Sequence, residues 1–226
     1  MLVSRGAQDV YINQNINSMT TRSRYTRFLN YGQSPTRLTF SGDVKNNRQC
    51  ILKLERRADL INYIWLEGTN IVDNLLGTTF ELFIGGQLID SQTYEYMADI
   101  WQIYMAETPS KGDCINNRVS KTDGNFFPLH FFFCDHGMYL NLIGLQYHEV
   151  ELRITWGPHI ENIPNLFPWA NYIWLDDAQR NYLAQNHIDT LITQVKRVTY
   201  NTDQIFQLRY FNHPIKAFFF GTGATS

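Results

Sequence analysis

Residues 145–156 read LQYHEVELRITW, and the regular alternation of side chains in this stretch decides the fold class. When apolar and polar residues alternate with a period of two residues, successive side chains lie on opposite faces of a β-strand. One face is then buried and the other is exposed to solvent. The face predicted to be buried carries Gln146, His148, Val150, Leu152, Ile154 and Trp156. The opposite face carries Tyr147, Glu149, Glu151 and Arg153, a row expected to meet solvent or another subunit. The stretch predicts one long strand, with His148 as a core histidine.

The same period recurs elsewhere in the chain. Leu38 and Phe40 alternate with polar residues, as do Cys50, Leu52 and Leu54. Further strands are predicted at residues 80–84, 88–90, 129–134, 172–175, 205–210 and 215–220, and residues 59–66 are apolar enough to be covered on both faces. Gly85-Gly86 predicts a tight hairpin, because glycine adopts the positive φ that such turns need. Many short strands separated by Gly, Pro and Asn indicate a β-sandwich or a barrel.

Two short helical insertions interrupt the strands. Helical spacing is shown by Tyr94, Met97, Ala98, Trp101, Tyr104 and Met105. Thr93 is the predicted N-cap and Pro109 the stop, and the apolar stripe is expected to face the core. The second helix is predicted from its cap Asp176, with Gln179 three residues later, to near Asn186.

Composition excludes several classes of protein. The 226 residues are 44% hydrophobic, 15% aromatic and 18% charged, which is too rich in aromatic residues for a disordered chain. A net charge of −2 argues against a protein whose main task is binding nucleic acid. The three cysteines, Cys50, Cys114 and Cys134, form no disulfide framework, which favours a reducing compartment. Neither a signal peptide nor a transmembrane helix is predicted.

Two histidine motifs are candidates for catalysis. His148-Glu149 lacks the second helical His of a zinc protease. His187, Asp189 and His213 match the two imidazoles and one carboxylate that hold Fe(II) in jelly-roll oxygenases. Two observations argue against an iron site. The separation between Asp189 and His213 is short for two ligands on different strands of one sandwich, and His213 precedes a proline in a turn-like stretch. An Fe(II)-dependent oxygenase that uses these three residues remains an alternative.

A β-sandwich that binds a ligand is the other alternative. Exposed Trp and Tyr would then be expected in the polar loop at residues 110–125, which contains neither. No phosphate-binding loop, nucleophile elbow or Rossmann fingerprint occurs, so no catalytic, cofactor-binding or metal-binding residue is predicted. Arg22, Arg24 and Arg27 stand between aromatic residues in an arm that is expected to dock on protein. The absence of catalytic motifs indicates an interaction protein.

Seven motifs follow one another along the chain: GAQDVY at 6–11, IGGQLID at 84–90, PLHFFF at 128–133, LQYHEV at 145–150, YIWLD at 172–176, AQNH at 184–187 and FNHP at 211–214. In this order they resemble the major capsid proteins of nucleocytoplasmic large DNA viruses. The resemblance covers nearly the whole chain, and the 145–150 stretch is its most specific part.

The resemblance implies an all-β jelly-roll sandwich with short helical insertions, the first of two consecutive jelly rolls. Residues 1–35 would form an N-terminal arm, residues 36–190 the first jelly roll, and residues 191–226 a linker and the incomplete start of the second. Family members are longer, so the chain is expected to be an N-terminal fragment or a paralogue with one jelly roll.

The function implied by the resemblance is structural, with no enzyme activity and no cofactor. The protein would form homotrimeric, pseudo-hexagonal capsomers of an icosahedral large double-stranded DNA virus. Its partners would be copies of itself in the trimer and the capsid lattice, minor capsid proteins, and an inner viral membrane contacted through the arm at 22–28, but no specific nucleic-acid sequence. Its location would be the virion capsid, assembled in the host cytoplasm.

Overall fold

A computed structural model describes residues 31–101, 104, 126–135, 137–199, 211 and 213–220. Within these residues ten strands form two antiparallel sheets. The strands are β1 (Gly32–Arg37), β2 (Phe40–Ser41), β3 (Gln49–Lys53), β4 (Leu60–Glu67), β5 (Thr79–Ile84), β6 (Gln87–Thr93), β7 (Phe126–Pro128), β8 (Leu140–Asn141), β9 (Val150–Thr155) and β10 (Phe167–Trp174). The helical elements are α1 (Ile71–Asn74), a π-helical turn (Tyr96–Trp101), two 3-10 turns (Phe132–Cys134 and Ile160–Asn162) and α2 (Asp177–Gln185).

Each sheet joins strands that are distant in sequence. Sheet 1 has the order β1–β10–β4–β7, with β8 also paired to β4, and sheet 2 has the order β2–β3–β9–β5–β6. β9, which covers residues 150–155 of the strand predicted at 145–156, lies between β3 and β5 and so occupies the inside of its sheet. β1 begins at Gly32, so it crosses the boundary that the sequence analysis drew between residues 35 and 36.

The inner faces of the two sheets form one apolar core. Leu52 on β3, Leu152 on β9 and Phe80 on β5 are fully buried, as their alternation predicted. Phe80 reaches across to Phe127 on β7 of sheet 1, with the ring centroids 6.3 Å apart. Full burial of one such side chain contributes about 1.5–3 kcal/mol. Contact between the inner faces therefore joins the two layers.

The first part of the predicted 145–156 strand is wrong, because residues 145–148 form a turn. The Arg56 guanidinium donates hydrogen bonds to the backbone carbonyls of Leu145, Gln146 and His148. These carbonyls converge on one side chain and do not point alternately to neighbouring strands. His148 is consequently exposed, and its prediction as a core histidine is wrong.

A bulge interrupts the alternation of side chains in β4. The register of β4 against β10 shifts at Asn62, so the residues that face the core are Ile61 before the bulge, and Ile64 and Leu66 after it. Leu60, next to Ile61, is also buried but is not part of this core. After the bulge the outward face is partly open, since Tyr63 is 42% exposed.

Other strand boundaries also differ from the prediction. Residues 129–134 hold no strand; β7 precedes them, and Phe132–Cys134 form a buried 3-10 turn. β10 begins at Phe167, five residues before the predicted start. Residues 215–220 are not a strand, and residues 205–210 lie outside the described residues.

The predicted hairpin and the second helix are confirmed. Gly85 and Gly86 join β5 to β6 with φ of +59° and +81°, as a tight turn between twisted strands requires. The Gln179 N–H donates to Asp176 Oδ1 (2.8 Å), which caps α2. The first helical stripe forms a π-helical turn over Tyr96–Trp101, whereas residues 102, 103 and 105 lie outside the described residues.

A bidentate ion pair fixes α2 against sheet 1. Arg180 donates from Nε to Asp59 Oδ1 (3.0 Å) and from Nη2 to Asp59 Oδ2 (3.1 Å). The Leu175 N–H adds a bond of 2.8 Å to Oδ2. Burial alone would raise the pKa of Asp59, but the bonds from Arg180 and Leu175 lower it below its usual value. The carboxylate therefore stays charged and holds the helix.

The segment after α1 approaches the end of β9 so closely that no side chain fits between them. A Cβ atom on Gly157 would lie 2.0 Å from the carbonyl oxygen of Leu76. The Gly157 N–H also donates to Oγ1 of the buried Thr78, at 3.1 Å. Only glycine allows this approach without movement of the backbone.

We expect Gly157→Ala to lower the free energy of unfolding by about 1–3 kcal/mol, because the added carbon overpacks a backbone contact. Gly32→Ala is the matched control, since nothing lies within 4 Å of a Cβ atom there. Urea unfolding of both variants measures the difference. Equal midpoints for the two variants would contradict the close approach.

His130 is a partly buried titratable group next to the π-helical turn. Its ring stacks on Trp101 with centroids 3.7 Å apart, and its carbonyl accepts a hydrogen bond from Gln92 Nε2 (2.9 Å). Burial lowers the pKa of His130 from 6.5 to about 3. The folded protein thus keeps the imidazole neutral at pH values where the unfolded chain protonates it.

Stability should therefore fall as the pH drops below 6.5, the ordinary pKa of this side chain. The expected slope is about 1.4 kcal/mol per pH unit for one proton bound only by the unfolded chain. His130→Phe should remove this slope between pH 6 and pH 4, whereas the exposed His159→Phe should keep it. Chemical unfolding at several pH values measures it, and parallel slopes for wild type and His130→Phe would rule out this role.

Candidate functional site

The outward face of sheet 2 carries charged side chains that pair with one another. Lys53 Nζ lies 2.8 Å from Glu149 Oε1, and Arg153 Nη2 lies 3.3 Å from Glu151 Oε2. The Arg153 guanidinium also lies over the Phe83 ring, 4.0 Å from its centroid. The charge row predicted from Glu149, Glu151 and Arg153 is confirmed. Such a face is stable in water without a partner.

The outward face of sheet 1 is aromatic. We call it the aromatic face and define it by Tyr63 and Trp65 on β4, Phe126 on β7, and Phe167 and Trp169 on β10. Trp65 lies directly opposite Trp169 in the register, and their rings stack 6.1 Å apart with an angle of 4°. Phe126 is 60% exposed and Tyr63 is 42% exposed.

The aromatic face has a polar border. The Arg37 guanidinium on β1 covers Phe167 at 3.4 Å from the ring centroid. Beyond Tyr63, the Asn171 side chain donates to Asn62 Oδ1 (2.8 Å). Apolar area bordered by polar groups is typical of a protein interaction surface.

A segment after α2, residues 191–199, is bound to sheet 2 at β6. We call it the strap. The Val195 N–H donates to Asp90 Oδ1 (2.8 Å), and the Gln194 side chain donates to the Ile89 carbonyl. Burial raises the pKa of Asp90 above its usual value, although the bonds from Gln92 and Val195 oppose this. These bonds fix the strap to β6, which is one of the two edge strands of sheet 2 among the described residues.

A second aromatic group lies near the C-terminal end. Phe219 packs against Tyr104 (5.3 Å between centroids) and Tyr96 (6.4 Å). Phe218 and Phe219 are each 42% exposed, and Phe220 is 79% exposed. These side chains lie in the stretch at 215–220 that was predicted as a strand.

The candidate iron ligands lie on the surface. His187 Nε2 is 2.9 Å from Asp189 Oδ1, and these side chains are 88% and 93% exposed. His213 is also exposed. Among the residues that the structure describes, no three His, Cys, Asp or Glu side chains are placed to hold a metal ion. The structure does not bring His213 to the pair.

A cavity of about 350 Å³ lies between residues 53–56 and the turn before β9. Both of its cations are bound within the chain: Arg56 to the backbone carbonyls of the turn, and Lys53 to Glu149. The loop at 110–125, where a ligand site was considered, and the arm with Arg22, Arg24 and Arg27 lie outside the described residues. Among the described helices, none is long and apolar enough to cross a membrane.

The sequence pattern did not predict the aromatic face. Its five residues come from three strands up to about a hundred positions apart, and only the register brings them together. The signal was the prediction that residues 59–66 are covered on both faces, since Tyr63 and Trp65 face outward in that stretch.

Comparison with known proteins gives the same result for sequence and fold. A family described as "Major capsid protein N-terminus" matches residues 20–176. The major capsid protein of Paramecium bursaria Chlorella virus 1 is 31% identical and is matched over 95% of this chain and 58% of its own length. That of Pyramimonas orientalis virus is 27% identical over 95% of this chain and 62% of its own.

Solved structures agree. The quasi-atomic model of the PBCV-1 virus capsid is similar with a TM-score of 0.62 and 26% identity, over 78% of this chain and 50% of that one. This likeness confirms the predicted jelly-roll sandwich. The chain spans about half the length of the relatives that it matches. Because the family matches well over half of the chain and the named relatives are capsid proteins, this chain belongs to the major capsid proteins of large DNA viruses.

Proposed function

We propose that this chain is a structural subunit of a viral capsid and has no enzyme activity. The observation that carries the proposal is that the family match and the fold likeness each cover more than half of the chain. The aromatic face supports it, because an apolar surface of this kind suits assembly. The exposed positions of His187 and Asp189 give an oxygenase no support.

The finer organisation that we propose is a homotrimeric, pseudo-hexagonal capsomer in an icosahedral capsid. The arm would end before β1 at Gly32, slightly earlier than the boundary predicted after residue 35, and the first jelly roll would extend to residue 190. Residues 191–226 would be a linker and the start of a second jelly roll. Minor capsid proteins and an inner membrane contacted through residues 22–28 would be further partners, without specific nucleic-acid binding. Assembly would take place in the host cytoplasm, and the final location would be the virion.

We expect the purified chain to self-associate as its concentration rises, with trimers among the species. Capsid contacts combine several interfaces, each of which gains from burial of apolar area. Light scattering after size-exclusion chromatography measures the mass, and negative-stain images detect arrays. A chain that remains monomeric at every concentration tested would contradict the proposal.

Metal analysis tests the rival oxygenase. We expect purified protein to contain iron well below one atom per chain, because the exposed pair of His187 and Asp189 has no third ligand near it among the described residues. His187→Ala should leave the iron content unchanged. Stoichiometric iron that is lost in His187→Ala would overturn the structural function.

Deletion of residues 199–226 should raise solubility and leave the sandwich folded. The exposed Phe218, Phe219 and Phe220 are removed, whereas the strap bond from Val195 to Asp90 is kept. The matched control is the full chain with Phe218→Ser and Phe220→Ser, which removes exposed rings without shortening the chain. Circular dichroism and solubility measure both effects. Unfolding of the deletion variant would mean that these residues belong to the first jelly roll.

A further inference from the structure

The two sheets differ in how their outward faces meet water. On sheet 2 the charged groups pair with one another, and Arg153 covers the Phe83 ring. On the aromatic face the rings are covered only in part: Trp65 and Trp169 stack on each other, while Phe126 and Tyr63 extend beyond them into solvent. Since both sheets bury their inner faces in the same core, the difference is not needed for folding.

We infer that the aromatic face is a contact surface between copies of this chain, with Tyr63 and Phe126 as its anchors. The inference rests on the proposed function, and it names the surface through which a neighbouring copy docks. Aromatic anchors in the centre of a contact, surrounded by polar groups, are the usual source of binding energy between proteins.

The charges on this face suit a partner of identical sequence. Arg37 is the cation beside the aromatic rings, and it already lies over Phe167. Glu67 stands in the register between Phe126 and Phe167. With Arg37 as its cation and Glu67 as its anion, the face has no net charge, so two copies can approach without repulsion.

The size of the face points to several contacts per copy. The three strands that carry the aromatic face lie about 4.8 Å apart and average about 20 Å in length, so they present roughly 300 Å². A stable pairwise interface buries roughly 800 Å² on each partner. The aromatic face is therefore less than half of what an isolated dimer needs, and it fits an assembly in which each copy also uses other surfaces.

The test compares charge substitutions on the two outward faces of the full chain. Tyr63→Lys and Phe126→Lys place a cation on the aromatic face, and Leu88→Lys is the matched control, since Leu88 lies on β6 of sheet 2 with 47% exposure. All three should keep the wild-type melting temperature. In analytical ultracentrifugation the first two should raise the concentration for half-association at least tenfold, and Leu88→Lys should change it less than twofold.

A photo-crosslinking residue at position 126 gives a direct readout that needs no loss of affinity. Mixed copies with two different tags should form a crosslinked dimer that carries both tags. Crosslinks confined to a single copy, or equal effects of all three lysine variants, would overturn the aromatic face as the contact while the wild type still associates. A wild-type chain that never associates would instead overturn the proposed function, and this surface with it.

Discussion

Each sheet of a two-layer sandwich has two faces, and only one of them can be buried against the other layer. In this chain the inner faces meet through contacts such as Phe80 with Phe127, which lie on different sheets. β9 is central to this arrangement, because it pairs with β3, about a hundred residues earlier, and with β5, about seventy residues earlier. Pairing over such distances costs loop-closure entropy before the contacts form, so it slows folding. At the border of this core, the ion pair between Asp59 and Arg180 fixes α2. The close approach at Gly157 fixes the segment after α1 against the end of β9.

The alternation of side chains predicted the fold class because it reports burial directly. It failed where a residue distant in sequence forms hydrogen bonds with the backbone. Arg56 donates to three carbonyls of the 145–148 turn, and nothing in the local pattern indicates these bonds. At the bulge of β4 the extra residue Asn62 shifts the period by one, and the local pattern of residues 59–66 does not indicate this shift. Capping and turn residues did better, because Asp176 and Gly85-Gly86 act on their own neighbours. Local signals were reliable, and signals that depend on tertiary contacts were not.

The family and its function could be predicted from motifs, whereas the candidate surface could not. Tyr63 and Trp65 precede Phe167 and Trp169 by about a hundred residues, and only the antiparallel register places the two pairs side by side. A sequence pattern shows which residues of a strand are apolar, but it does not show which strands are neighbours. Residues 59–66 were predicted to be covered on both faces, and the core covers their inner face. On the outer side the aromatic face stays exposed in the single chain, and a docked copy would cover it.

Two strand edges of the sandwich restrict how other chains can pair with its sheets. Open edges pair with other chains without specificity, and proteins protect them with proline, charge or an overlying segment. β1, at one edge of sheet 1, contains Pro35, which has no N–H to donate. β6, at one edge of sheet 2, is bonded to the strap through Asp90 and Ile89. Backbone pairing is thus restricted at these edges, and the exposed apolar area of sheet 1 lies on a face where side-chain shape decides which partner fits. A capsid subunit needs this combination, since it must bind its copies in one geometry and avoid growth in every other.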